Sequence, residues 1–383
     1  MTLEARRTAE WAEVADGAEV ADGAEVADGA EVADGDVMLD ADFEVARRSF
    51  EVAACFRLAP GERLSIFGPS GAGKTTCLEA IAGTAPLSRG RVVIDGSLVN
   101  AANRRHRLFE RGREHAVDPK DRGITVVRQP TTLFPHLSLA ANVAYGLRSE
   151  PSSRDRSVEE LLERVGLGGL GGVAPETLSG GQRQRACLAR ALARRFHAIL
   201  LDEPFSAVDA GSRRMLREIA AEATEHEGAV AVLVTHDLGE AQAFAHLIAI
   251  MDAGQLLQLG DSDTLVRCPA SVRVAELCGY ESFLPHDSGR LWALHPDRFL
   301  VGSQPDRGLV LTGSVVSVQA FGPRYTCELV LDSPGTTVRV NVDSPPQIGE
   351  SWEVTSLDPP LVSRVSLAGD EEGRSVARNP STP

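Results

Sequence analysis

The sequence holds no apolar run long enough to cross a bilayer as a helix. The longest, such as AVAVLV at 229–234, fall far short of the roughly 20 residues a span requires. Paired cysteines are missing as well. The 6 cysteines, at 55, 77, 187, 268, 278 and 327, form no CxxC pair, so neither a zinc site nor a disulfide framework is indicated. Free thiols suit a reducing cytosol. There is no excess of positive charge: 39 Lys and Arg face 54 Asp and Glu, a net charge of -15. Residues 1–36 alone hold eleven acids against Arg6 and Arg7, a balance of -9, which leaves the rest only mildly acidic. Proteins that bind nucleic acid usually carry a basic face, so no nucleic-acid partner is expected. The N-terminus also lacks the basic-then-apolar pattern of a secretory leader. Any membrane role is therefore expected to run through a partner.

What is present begins with a repeat. AEVADG occurs four times in tandem from Ala12 to Gly35. Four small acidic copies cannot bury a core, so residues 1–36 read as a disordered, solvated tail, with metal binding by its aspartates as the competing reading. From 37 to 280, short runs rich in Val, Ile and Leu alternate with helical patterns. RLSIF (63–67), GITVV (123–127), AILL (198–201), AVAVLV (229–234) and LIAIM (247–251) lack polar alternation, as strands covered on both faces do. The rhythm predicts a parallel α/β sheet. Residues 97–121 read as a long basic surface loop, and about 130–195 as a helical insertion. From 284 to 370 the runs GLVLTGSVVSV, YTCELVL and TTVRVNV predict a small all-β domain of barrel or sandwich type. Residues 371–383 read as a polar, frayed tail.

The stretch FGPSGAGKTT follows RLSIF and precedes a helical pattern, matching G-x-x-x-x-G-K-S/T at Gly68, Gly73, Lys74 and Thr75. Glycines 68, 71 and 73 let backbone N–H groups turn inward around a phosphate. The helix start adds partial positive charge. Lys74 can reach β- and γ-phosphates, and the Thr75 hydroxyl can bind Mg²⁺. HAILLDEP puts Asp202 and Glu203 at a strand tip, where one carboxylate can hold Mg²⁺ and the other polarise water. Gln129 and His236 also follow strands, on the side where parallel sheets bind ligands.

A second anion site starts at TLSGGQRQRACLARAL (177–192). Ser179 is a good N-cap, and Gly180 and Gly181 expose N–H groups. One subunit would struggle to bring this tip and the phosphate loop onto one γ-phosphate. Two copies placed head to tail could, with ATP bridging a two-fold interface.

LSGGQRQR resembles the signature motif of the ABC-transporter ATPases, and five further motifs agree in order: GPSGAGKTT with Walker A, VVRQP with the Q-loop, ILLDEP with Walker B, FSAVD with the D-loop and VTHD with the switch histidine. The resemblance covers about residues 38–280. It implies a P-loop NTPase cassette of α/β class with a helical subdomain, followed by a small all-β domain of OB/TOBE type. It further implies ATP and Mg²⁺ at Gly68, Pro69, Ser70, Gly71, Ala72, Gly73, Lys74, Thr75 and Thr76. Asp202 would hold Mg²⁺, Gln129 would sense it, Glu203 would be the general base and His236 would clamp the γ-phosphate. Ser179, Gly180 and Gly181 would serve the opposite subunit's ATP, with Asp209 at the dimer interface. The family's adenine-stacking aromatic has Phe43 as its best candidate, with Val45 nearer the usual spot.

The segment LFPHLSLAANVAYGL (133–147) resembles the region that takes up a permease helix in oxyanion, iron, polyamine and sugar importers, though its apolar residues could equally be helix core. The region from LWALHPDRFLV (291–301) resembles the regulatory barrel of those importers. The expectation is an ATPase peripheral to the cytoplasmic face of the membrane, a homodimer joined to two permease subunits and served indirectly by an extracytoplasmic solute-binding protein. The lead-in from Phe43 to Thr76 looks most like the molybdate-type ATPases; iron(III), polyamine or sugar import is the alternative. A soluble anion-sensing regulatory protein is the competing class.

Overall fold

The structure, a computed structural model, describes residues 37–47, 50–101, 122–128, 132–145, 147, 154–286 and 288–362. The 1–36 tail, the segment 102–121, Gln129 and the 371–383 tail lie outside the described residues. All five runs expected as covered strands are strands: β3 (Arg63–Phe67), β6 (Ile124–Val127), β7 (Ala198–Asp202), β8 (Val230–Thr235) and β9 (Leu247–Asp252). They lie parallel in the order β9-β3-β8-β7-β6. Successive residues feed opposite cores. Ala198 and Leu200 pack on one face, Ile199 and Leu201 on the other. Both faces are covered, which is why these runs show no polar alternation.

The expected parallel sheet is only half of what forms. The full sheet has ten strands, and its other half is mostly antiparallel: β1 (Leu39–Ala46), β2 (Glu51–Leu58), β4 (Arg89–Ile94), β5 (Ser97–Ala101) and β10 (Gln255–Gly260). The cause is local. The β1–β2 turn is closed by Arg47 N–H donating to the Phe50 carbonyl at 3.0 Å. The β4–β5 turn holds Asp95 and Gly96 at φ 48 and 66. Tight turns join only antiparallel neighbours, and two positive φ values suit the strand twist. Residues 97–101 are thus an edge strand rather than the start of a loop. Of its five side chains only Val99 is buried, so its sequence carries little strand signal.

One face of the sheet holds α1 (Lys74–Ile81), whose Cys77, Leu78 and Ile81 join the first core. The other face holds α2 (Leu139–Ala144), α3 (Arg154–Arg164), α4 (Gly180–Leu192) and α5 (Ala210–Glu227). Leu139, Val143, Leu162, Leu188 and Leu216 are fully or nearly fully buried there, each contributing about 1.5–3 kcal/mol by leaving water. Then come α6 (Leu238–Phe244), α7 (Ser262–Arg267) and α8 (Val272–Leu277).

After α8 the regular elements among the described residues are strands, apart from one 3-10 turn at Pro305–Arg307. One antiparallel sheet has three strands, β11 (Ser282–Pro285), β12 (Leu291–Leu294) and β18 (Leu361–Val362). The other runs in the order β13-β17-β14-β15-β16, with β13 (Phe299–Val301), β14 (Gly308–Phe321), β15 (Arg324–Leu331), β16 (Thr337–Val342) and β17 (Ser351–Leu357). Strand β12 serves two cores through its period of two. Leu291 and Ala293 pack with Phe67, Ile248 and Ile250, while Leu294 packs with Val315, Cys327 and Val340. No helix among the described residues is long and apolar enough to cross a membrane.

Candidate functional site

The glycine loop lies between β3 and α1, as the motif requires. At Gly68 a Cβ would sit 2.0 Å from the Met251 carbonyl oxygen, so only glycine lets β3 pass β9 there. Gly73, at φ 103, caps α1 in a region closed to most side chains. Lys74 is 6% exposed, and its Nζ donates to the carbonyls of Gly68 and Pro69, both at 2.8 Å. Burial lowers its pKa, opposed by the negative charges of Glu203 and Asp202. Thr75 Oγ1 donates to Asp202 Oδ1 at 3.2 Å. Burial raises the Asp202 pKa, the Thr75 hydrogen bond lowers it, and neighbouring Glu203 raises it again. Two hard oxygens are therefore brought together beside a buried ammonium.

Glu203 follows Asp202 at φ 45. A left-handed non-glycine residue costs of order 1–3 kcal/mol and persists only when its surroundings hold it. Here Glu203 N–H donates to the Val234 carbonyl at 3.0 Å. Its Oε1 lies 3.2 Å from His236 Nδ1. His236 is itself set by a small network: Asp237 N–H donates to Thr235 Oγ1 at 3.1 Å, and Thr235 Oγ1 donates to the buried Glu240 carboxylate. Lys74, Thr75, Asp202, Glu203 and His236 are thus brought to one place. Arg128, at the end of β6, donates to Thr84 Oγ1 at 3.0 Å, and its charge lowers the Asp202 pKa.

Ser179 caps α4 in a reciprocal box. Its Oγ accepts from Gln182 N–H at 3.2 Å, and its own N–H donates to Gln182 Oε1 at 2.8 Å. The hydroxyl proton is not used by that box and can still be donated. Around Gly180 a Cβ would meet nothing within 4 Å. Among the described residues, no hydrogen bond joins 179–181 to the glycine loop. Asp209 caps α5, accepting from Ser212 N–H at 3.0 Å and from Ser212 Oγ at 2.7 Å. Those bonds lower its pKa.

One expectation fails. Phe43 is 2% exposed and Val45 1%, both in the core, so neither can stack on a base. The β1–β2 pairing puts Phe43 opposite Ala54, on the covered face. The exposed aromatic beside the loop is Phe50, 37% exposed. Its ring lies against Gly254, whose Cα is 3.5 Å from a Cβ built on Gly73. From the same turn Arg47 Nε donates to Thr76 Oγ1 at 3.3 Å, and Arg47 pairs with Glu79. The strand period could have turned Phe43 inward had the β1–β2 pairing been legible; Gln184, treated below, carried no sequence signal.

A glycine loop between strand and helix, with an acid at the tip of a strand two places along the same sheet, is the site of a P-loop nucleotide-binding protein. A family model described as ABC transporter matches residues 53–206. The sulfate/thiosulfate import ATP-binding protein CysA of Rhodopseudomonas palustris is 35% identical over 318 residues, 76% of this chain and 86% of that protein. The chain belongs to the ABC transporter family, and the site is that of an ATP-binding cassette. The Fe(3+) ions import ATP-binding protein FbpC of Pseudomonas fluorescens is 41% identical over 226 residues, 59% of this chain. The chain spans 61% of that relative's length. A solved dimer of the ATP-binding cassette MJ0796, bound to ADP and Pi, matches at 28% identity with a TM-score of 0.48, over 59% of this chain and 98% of that one.

Proposed function

We propose that the chain is the ATP-hydrolysing subunit of an importer, peripheral to the cytoplasmic face of the membrane and coupled to two separate permease subunits. The observation that carries this reading is the Glu203 carboxylate, held at strained φ 45 and 3.2 Å from His236, beside Asp202, Thr75 and Lys74. In this reading residues 68–76 wrap the phosphates through backbone N–H groups. Lys74 leaves the Gly68 and Pro69 carbonyls for phosphate oxygens. Thr75 Oγ1 and Asp202 would hold Mg²⁺, which takes oxygen ligands and tolerates water and phosphate in its remaining places; the two oxygens, 3.2 Å apart, fit that demand. Bound there, Mg²⁺ would neutralise charge on the β- and γ-phosphates. Glu203 accepts a proton from the attacking water, and His236 holds that carboxylate and the γ-phosphate. Gln129 is assigned to the Mg²⁺ side and to the link with the helical part.

The tip at Ser179, Gly180 and Gly181 serves the ATP of a second copy, with Asp209 at the interface. The mixed character of 133–147 supports permease docking at its rim. Leu139 and Val143 are core, while Tyr145 is 46% exposed with its ring centroid 4.6 Å from that of Phe134. Buried Asn142 shapes this loop, donating to the carbonyls of Phe134, Leu137 and Ser138. The relatives' names divide between ferric ions and sulfate, which supports an inorganic ion as solute, delivered by an extracytoplasmic binding protein; molybdate rests on the lead-in sequence alone. The test is Glu203→Gln. It should bind ATP with unchanged affinity and release no phosphate, and turnover near the wild-type rate would overturn the assignment.

A further inference from the structure

The signature helix α4 carries a buried amide that the proposed chemistry does not use. Gln184 lies five residues after Ser179 and is 2% exposed. Its Nε2 donates to the Glu203 carbonyl at 3.1 Å, and its Oε1 accepts from Ala207 N–H at 3.0 Å. One side chain thus ties α4 to both ends of the segment 203–207. The same helix start presses on that segment by shape, since a Cβ on Gly181 would lie 3.1 Å from the Ala207 carbonyl oxygen. Phe205, in the middle of the segment, is fully buried and packs in one core with Leu188 of α4.

These contacts converge on the residue with the strained backbone. Glu203 sits at φ 45, a pose that lapses unless its neighbours fix it. Val234 holds its N–H from β8, and Gln184 holds its carbonyl from α4. Ser206 adds its N–H and Oγ to the same carbonyl at 3.4 and 3.1 Å, but from within the segment, so it fixes the turn and not its place on the protein. Among the described hydrogen bonds to Glu203 O, that of Gln184 comes from the helix that presents Ser179 and Gly180 outward.

We infer that Gln184 is a positioning residue that links the two nucleotide sites of the dimer through each protomer. A γ-phosphate seated on the α4 tip of one protomer belongs to ATP held by the other. Any shift of α4 on seating is carried by the Gln184 amide to the backbone of Glu203, which acts on the protomer's own ATP. Each carboxylate then reaches its working pose only when the neighbouring site is filled. This inference rests on the sandwich reading proposed above.

The experiment uses the full chain and compares wild type, Gln184→Met and Gln184→Glu, with Glu203→Gln as reference. Met matches the length of Gln and removes both hydrogen bonds. Glu keeps an oxygen for Ala207 N–H while losing the amide donor. Turnover is normalised to bound nucleotide, so that a loss of folded protein does not register. The expected result for Gln184→Met is unchanged ATP affinity and ATP-driven dimerisation, with kcat lower by about 10²-fold, the order that misplacement of a reacting group by 1 Å produces, and a Hill coefficient that falls to 1. Gln184→Glu should show the same kcat loss, and it carries the test if the Met variant does not fold. Normalised kcat within twofold of wild type in the folded variants, with Glu203→Gln inactive, overturns the inference and leaves the function intact. Loss of affinity equal to the loss of kcat also overturns it. Activity in Glu203→Gln itself would instead remove the underlying reading.

Discussion

The phosphate loop illustrates how little freedom a single side chain has in this protein. Only two lysines occur in the chain, Lys74 and Lys120, and arginine supplies the remaining basic side chains. Lys74 is buried between two carbonyls 2.8 Å from its Nζ, a place for a compact ammonium with rotatable donors and not for a planar guanidinium. The two phenylalanines of the lead-in divide in the same way. Phe43 is core, and Phe43→Ala should destabilise the fold by about 3–5 kcal/mol while leaving the ATP affinity of the folded fraction unchanged. Phe50 is exposed beside Gly254 and the glycine loop. Phe50→Ala should leave the melting temperature nearly unchanged and weaken ATP binding roughly tenfold, within the range for an aromatic stacked on a base. Calorimetric titration of both variants checks this, and the reverse pattern would return the stacking role to Phe43. Sequence alone could not see that Phe43 is core, because its burial depends on the β1–β2 register, which pairs it with Ala54.

At the scale of elements, the loop that carries His236 is set by a buried polar pair. Glu240 starts α6 as its first-turn acid, and its carboxylate accepts from Thr235 at the end of β8. Burial raises the Glu240 pKa above the ordinary carboxylate value, and the Thr235 hydrogen bond and the charge of Arg213 oppose this. The folded protein therefore holds that proton more tightly than the unfolded chain. Its contribution is complete below the unfolded carboxylate pKa of about 4.3 and is lost as pH rises through the raised folded value. Glu240→Gln keeps an oxygen for Thr235 and abolishes that loss. Its melting temperature should gain on the wild type as pH rises from 4 to 7, and parallel curves would contradict the assignment. The elements that sequence revealed were those buried on both sides: every residue of β8 is buried, so its run has no alternation to misread. Edge strand β5 stayed hidden because one residue in five is buried. Gln184 stayed hidden because a glutamine amid arginines reads as a solvated helix face, and only the path of 203–207 beneath α4 turns it inward.

For the whole molecule, the order of motifs fixed the cassette, whereas the way the β region attaches depends on packing that no motif encodes. Leu291, Ala293 and Val362 share a core with Phe67, Ile250 and Tyr280, so the three-stranded sheet belongs energetically to both parts. A chain truncated after residue 281 should melt at least about 5 °C below the full chain, since three buried apolar side chains are withdrawn from that core; an unchanged melting temperature would show that the sheets stand apart. The assembly itself turns on whether Ser179 and its glycines meet the nucleotide of a second copy. The most direct measurement is photo-labelling with an ATP carrying an azidoanilide on its γ-phosphate, in a mixture of tagged Lys74→Ala chains, expected not to bind nucleotide, and untagged wild-type chains. The account predicts an adduct within residues 177–185 of the tagged chain in the mixture and none when that chain is irradiated alone. Labelling confined to the wild-type chains, with dimers present, would contradict it.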